Sequence, residues 1–343
     1  MTLTGFVLLY IVATIAIGVI AATRVKNTSD FALAGRSLPL PMVITATFAT
    51  WFGSETILGL PGRFIESGIA GVIEEPFGSG MALILVGTFF AHKLYKQNIL
   101  TLGDYYRDRY GRSVELLCSV AIVISYLGWV GAQVTALGLV INLITEGAVS
   151  MTTGMVIGAA VVLAYTMVGG MWSVAMTDFV QMIVIVVGLV AILWFATDLA
   201  GGMDKVVDYA RGRDLFHAFP EPTTTGWLFW ISAAMTMMIG SIPQQDVFQR
   251  VMSAKNLPTA VAGPILGGSF YILFAFVPMF IVVAAILVMP DAAEKMLSED
   301  PQQLLPTLVR DYMPMWLRVV FFGAVLSAVM STASATMLAP STI

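Results

Sequence analysis

Nine runs of apolar residues, each close to the length of a bilayer-spanning helix, follow one another along this chain: 4–23, 41–60, 70–92, 113–143, 151–168, 177–198, 226–243, 258–289 and 315–339. A helix needs about 20 apolar residues to cross roughly 30 Å of hydrocarbon, where no water satisfies stray amides and carbonyls. The runs lack the two-residue alternation of a membrane barrel, so they predict an all-α membrane protein. Composition closes off a soluble fold: 58% of the residues are hydrophobic and 11% charged, against about 25% charged in an average soluble domain. A net charge of −4 disfavours nucleic acid as a partner. Cys118 is the only cysteine, which excludes a disulfide within the chain.

The first run has no basic residue before it and is followed by Arg24 and Lys26, the reverse of a secretory signal. It reads as a permanent span with the N-terminus outside, in a multi-pass protein of the plasma (inner) membrane. The cytoplasmic side then takes Arg24, Lys26, Arg36, Lys93, Lys96, Arg107, Arg109, Arg112, Arg250 and Lys255. Outer charges such as Lys205, Arg213, Lys295 and Arg310 fall mostly in the long connections 199–225 and 290–314, and long loops weigh less in setting orientation. The 199–225 connection has room for a short amphipathic helix around Val206 to Tyr209. Trp172, Trp194, Trp227, Trp230 and Trp316 lie near span ends, as interfacial belts require. Trp51 and Trp129 lie well inside their spans, where a site or plain helix packing accounts for them equally.

Two spans are interrupted. Trp51-Phe52-Gly53-Ser54-Glu55 and Gly59-Leu60-Pro61-Gly62 break the second, and Gly240-Ser241-Ile242-Pro243-Gln244-Gln245 breaks the seventh. Proline removes an amide donor, and glycine lets the backbone leave helical geometry. Five spans separate the two starts, an odd number, so the broken helices cross in opposite directions. Interrupted spans at matching places of two inverted repeats point to the binding site of a secondary transporter, although ordinary kinks give the same string.

Acids inside the membrane sharpen that reading, because an ionised group at mid-membrane costs on the order of 2.5–3.5 kcal/mol on insertion scales. Glu55 lies in the first break and Glu75 inside the third span, while Glu74 is expected at the outer interface. In the ninth span Ala328, Ser331 and Thr332 fall on one helix face. A carbonyl and two hydroxyls suit a small hard cation, with carbonyls freed by the first break completing the shell. Routine hydroxyls at a membrane helix interface are the alternative.

These residues resemble the sodium:solute symporter family, and a bacterial member of it. The most specific segment is Gly169-Gly170-Met171-Trp172-Ser173-Val174-Ala175-Met176-Thr177-Asp178-Phe179-Val180-Gln181. Asp30 to Ser37, Phe248-Gln249-Arg250 and Ala328 to Thr332 support it. The resemblance implies a leucine-transporter-type fold of inverted five-helix repeats with one extra N-terminal helix, 4–23. The first repeat would be 41–198 and the second 226–343, the whole a single transporter domain. Family members usually continue well beyond this length, so the second repeat is expected to be incomplete.

By the same resemblance, sodium would bind the carbonyls of Ala49, Phe52 and Ala328 and the hydroxyls of Ser331 and Thr332, with Asp178 at the sodium exit. Substrate would lie near Trp51, Glu55, Glu75, Trp129, Ser241 and Gln244. Ala49-Thr50-Trp51, Trp129 and Ile242-Pro243 look like the choline transporters. Gln244 and Ser79 stand where those carry aromatic cage residues, and Glu75 matches a glutamate of the sugar-carrying members.

The implied function is sodium-coupled symport of a small polar or cationic organic solute by alternating access. Its partners would be sodium, the solute and the lipid bilayer, with no cofactor beyond the coupling ion. A symporter-like sensor module of a larger signalling protein is the alternative. An enzyme is not expected: His92 and His217 belong to no HExxH pattern, and no phosphate loop or potassium-channel filter occurs.

Overall fold

A computed structural model describes residues 3–343, and every regular element among them is helical. Six helices are long and apolar enough to cross a membrane: Leu3–Ala22, Ile69–Gln97, Arg112–Ile144, Met151–Leu199, Leu257–Val288 and Met315–Ser341. A seventh crossing is the pair Thr224–Gly240 and Gln245–Ser253, bent by 46°. The remaining expected spans come from two special cases. Leu40–Trp51 is too short alone but resumes after its break and runs to Ser67. The 49-residue segment Met151–Leu199 divides at Gly170 (φ 48°, ψ −138°), leaving two arms of at least roughly 28 Å at 1.5 Å per residue. Only glycine fits there, because an added Cβ would stand 2.3 Å from the Phe31 carbonyl oxygen.

The structure extends both broken spans past their expected ends. The second run was expected to stop at residue 60, yet Pro61 occupies the first turn of helix Leu60–Ser67, where a missing N–H breaks nothing. The seventh was expected to end at 243, yet Gln245–Ser253 continues it and all its residues are buried. Hydropathy misses this arm because its polar side chains face other helices rather than lipid. Arg250 therefore leaves the loop tally: it is 2% exposed, inside the bundle. Trp172 is also reassigned. It is buried beneath the Arg24 guanidinium, 4.7 Å from the ring centroid, while Trp194 and Trp316 remain exposed as belt residues.

The connections carry structure of their own. Met203–Gly212 is the amphipathic helix expected around Val206, with Val206 and Ala210 fully buried. In 290–314, Leu304–Tyr312 forms a helix whose residues 304–309 are buried against the core. The bundle has a centre and a rim. Met315–Ser341 is the centre, buried over most of its length and packed on Met151–Leu199, Arg112–Ile144 and Leu40–Trp51. Arg112–Ile144 is rim over its first half, turning Leu116, Leu117, Ile124 and Leu127 outward.

Candidate functional site

Helix Leu40–Trp51 ends where Phe52 departs from helical angles (φ −85°, ψ 71°). The Phe52 amide still reaches back to the Phe48 carbonyl (2.9 Å), but the Gly53 amide turns to Trp51 (3.1 Å). The Ala49 carbonyl is thereby released from the helical ladder, and it accepts the Thr332 hydroxyl at 3.2 Å. Gly53 makes the approach possible: a Cβ there would sit 2.7 Å from Thr332 Oγ1. One residue earlier on the central helix, Ser331 donates to Asp178 Oδ1 at 2.5 Å. Asp178 Oδ2 is buried with no partner.

Ala49, Phe52, Ala328, Ser331, Thr332 and Asp178 are all fully buried. Two bonds draw part of the set together, Thr332 to Ala49 and Ser331 to Asp178; Phe52 lies at the same break as Ala49, and Ala328 three residues before Ser331 on the central helix. Carbonyl, hydroxyl and carboxylate oxygens form a hard-ligand set. Among the described residues no group of His, Cys, Asp and Glu is placed to hold another metal.

A cavity of about 280 Å³ adjoins the break, lined by Trp51, Glu55, Glu75, Ser125, Trp129, Met237 and Gln244. Five of the six residues assigned to substrate meet there. Ser241 does not: it is buried at the second break, and its hydroxyl nears only Met237 Sδ at 4.0 Å. The Trp51 and Trp129 rings meet edge to face, 5.7 Å apart at 64°, and Tyr126 stacks on Trp129 at 6.0 Å.

Each carboxylate is held by partners from distant helices. Gln133 Nε2 donates to both oxygens of Glu55 (2.7 and 2.8 Å), and the Ser54 hydroxyl lies 3.2 Å from Gln133 Oε1. The chain is extended at Glu75 (φ −139°, ψ 123°), so its side chain leaves the helix surface. Glu75 Oε1 accepts from Tyr271 (2.5 Å) and Thr56 (2.9 Å), and among the described residues no group bonds Oε2. Glu74 turns the other way, to Arg63 at the partly exposed surface (3.8 Å).

Two spaces flank this cavity. Outside it lies a vestibule of about 740 Å³ bounded by Ser54, Glu55, Arg63, Glu66, Leu139 and the 299–303 turn; Glu55 lines both. Behind Trp51, a closed gap is lined by Thr47, Asp246, Val247 and Arg250. Tyr126 donates its hydroxyl to Asp246 Oδ1, and that hydroxyl accepts the Asp246 amide at 3.0 Å. Arg250 Nη1 donates to the Asp246 carbonyl (3.1 Å), while Arg250 Nε and Nη2 and Asp246 Oδ2 are buried without partners. Sequence reasoning missed Gln133, Thr56, Tyr271, Tyr126 and Asp246. Gln133 had left a signal as an amide deep inside an apolar run, and Asp246 with Arg250 as an i, i+4 pair.

Over 99% of its length the chain superposes, at a TM-score of 0.85 and 18% sequence identity, on a substrate-bound, outward-open Na+-coupled sialic acid symporter, covering 72% of that chain. The fold is therefore of the leucine-transporter type. The sequence model of the sodium:solute symporter family matches residues 31–343, and the chain belongs to that family.

Among its curated relatives are high-affinity choline transporter 1 of Caenorhabditis elegans, 28% identical over 91% of this chain and 54% of the relative. The human high affinity choline transporter 1 is 28% identical over 98% of this chain and 60% of the relative. Sodium/glucose cotransporter 4 of Danio rerio is 26% identical over 95% and 54%. The chain thus spans little more than half the length of these relatives.

Proposed function

We propose that the protein couples inward sodium movement to the uptake of a small polar or cationic organic solute by alternating access. The observation that carries this is the Ala49 carbonyl, freed at the first break and already bonded to Thr332 on the central helix. Sodium replacing that hydroxyl proton contact would be shared by Ala49, Phe52, Ala328, Ser331 and Thr332 and would pin the broken helix to the bundle centre.

Sodium entry is driven by its gradient and by the membrane potential, which contributes about 2.3 kcal/mol per charge per 100 mV. Coupling follows if sodium binds the outward-open state better than the inward one. Solute in the Trp51–Trp129 cavity, touching Glu55, Glu75 and Gln244, completes closure. Asp178, already bonded to Ser331, draws that ligand away as the ion leaves. In this reading residues 41–198 and 226–343 are the two repeats of one transporter domain, in the plasma membrane with the N-terminus outside. The named relatives are transporters, which favours transport over a sensing role.

Trp51 is the built-in reporter, two residues from Ala49. Tryptophan fluorescence of the detergent-purified protein should respond saturably to NaCl, and not to KCl at equal ionic strength. The response should vanish in Ser331→Ala/Thr332→Ala. A double variant that keeps the full sodium response, or a wild type blind to the choice of salt, overturns the ion assignment.

A further inference from the structure

Within the transport reading, we infer that the solute is an ammonium carrying at least one N–H, selected by Glu75 Oε2 over both quaternary ammonium compounds and sugars. The cavity that would hold it has two carboxylates and two indoles in its wall and no Lys, Arg or His. An anion meets no cationic side chain there, and a neutral solute leaves the pair of carboxyl groups without a cationic partner. A cation answers the carboxyl groups.

The two carboxylates are prepared differently. Both oxygens of Glu55 are occupied by Gln133. Glu75 is anchored by one oxygen only, through Tyr271 and Thr56, themselves 3.1 Å apart. That triangle fixes the carboxylate plane and leaves Oε2 as an oriented acceptor with no donor among the described residues. A directional acceptor of this kind rewards a ligand N–H, and it stays unpaired against a quaternary ammonium, whose nitrogen bears only carbon. The indoles give a quaternary head little in exchange. They pack edge to face on each other, so the edge of one ring takes up the face of the other instead of both faces enclosing a ligand.

The test is a binding series on the purified wild-type protein in NaCl at neutral pH, read by tryptophan fluorescence. The probes are ethanolamine, N-methylethanolamine, N,N-dimethylethanolamine and choline, with glucose as the neutral control. All four amines are cationic, and the first three retain an N–H. The first three should bind, and the affinity should drop abruptly at choline, by about tenfold or more for one lost charge-assisted hydrogen bond. In Glu75→Gln the step between dimethylethanolamine and choline should shrink towards unity. Tyr271→Phe, which keeps the carboxylate but loosens its anchor, should shrink it in part. Choline binding as well as dimethylethanolamine, glucose binding in place of the amines, or a step unchanged in both variants overturns the inference. So does a protein that answers sodium but no amine. An intact step in a protein blind to sodium upholds the inference and removes the coupling reading instead.

Discussion

At the first break both arms of the helix are fixed: Thr45 to Ser54 are buried before and through it, and Thr56, Ile57 and Leu58 after it. At the second break the arms differ. Every residue of Gln245–Ser253 is buried, and no residue of Thr224–Gly240 is. The glycines repeat the contrast. Gly53 has Thr332 pressed against it, whereas a Cβ on Gly240 would meet nothing within 4 Å. The same disruption of a helix thus occurs in two settings. Among the described residues the first break is buried on both sides and frees the Ala49 carbonyl to Thr332, while the second is buried only on its Gln245–Ser253 side.

Substitutions that strike one break and spare the other test this contrast. The largest effect is expected at the anchored arm Gln245–Ser253. Asp246→Ala removes the acceptor of Tyr126 and a carboxylate beside buried Arg250. It should cost about 3 kcal/mol or more, read as a lower thermal midpoint in detergent; a small shift would mean that this arm is not the anchor. Gly53→Ala comes next. Its Cβ would overlap Thr332 Oγ1 at 2.7 Å, so overpacking of about 1–3 kcal/mol and a weakened sodium response in the fluorescence titration are expected together. Gly240→Ala should change the midpoint least, by about 0.5 kcal/mol or less, and leave the sodium response intact. Equal damage from the two glycine changes would erase the distinction between the two breaks.

The spans were legible because lipid imposes one rule on every residue that faces it. Both breaks were legible too, since glycine and proline act through their own backbone. Trp51, Trp129, Glu55 and Glu75 stood out as polar or bulky side chains with no business at mid-membrane, and the cavity collects them. Orientation within the site was not legible. Whether a carboxylate offers a free oxygen depends on Gln133, Thr56 and Tyr271, which arrive from other helices. The arm 245–253 was hidden for a related reason: a helix enclosed by protein can be as polar as a loop. Ser241 was misplaced because a break reveals where the backbone turns but not which way each side chain of the turn points.

Glu55 has one further consequence. It belongs to the wall of the larger vestibule and to the wall of the smaller cavity, so the partition between them includes a single side chain, tied to Gln133. In the proposed transport reading, a solute passing from the larger space to the smaller would meet the same carboxylate before it is enclosed and again afterwards. Screening at the doorway and retention in the room would then not be independent. Altering Glu55 should shift the speed of admission and the strength of holding together, whereas altering Glu75, which lines only the smaller space, should shift holding alone.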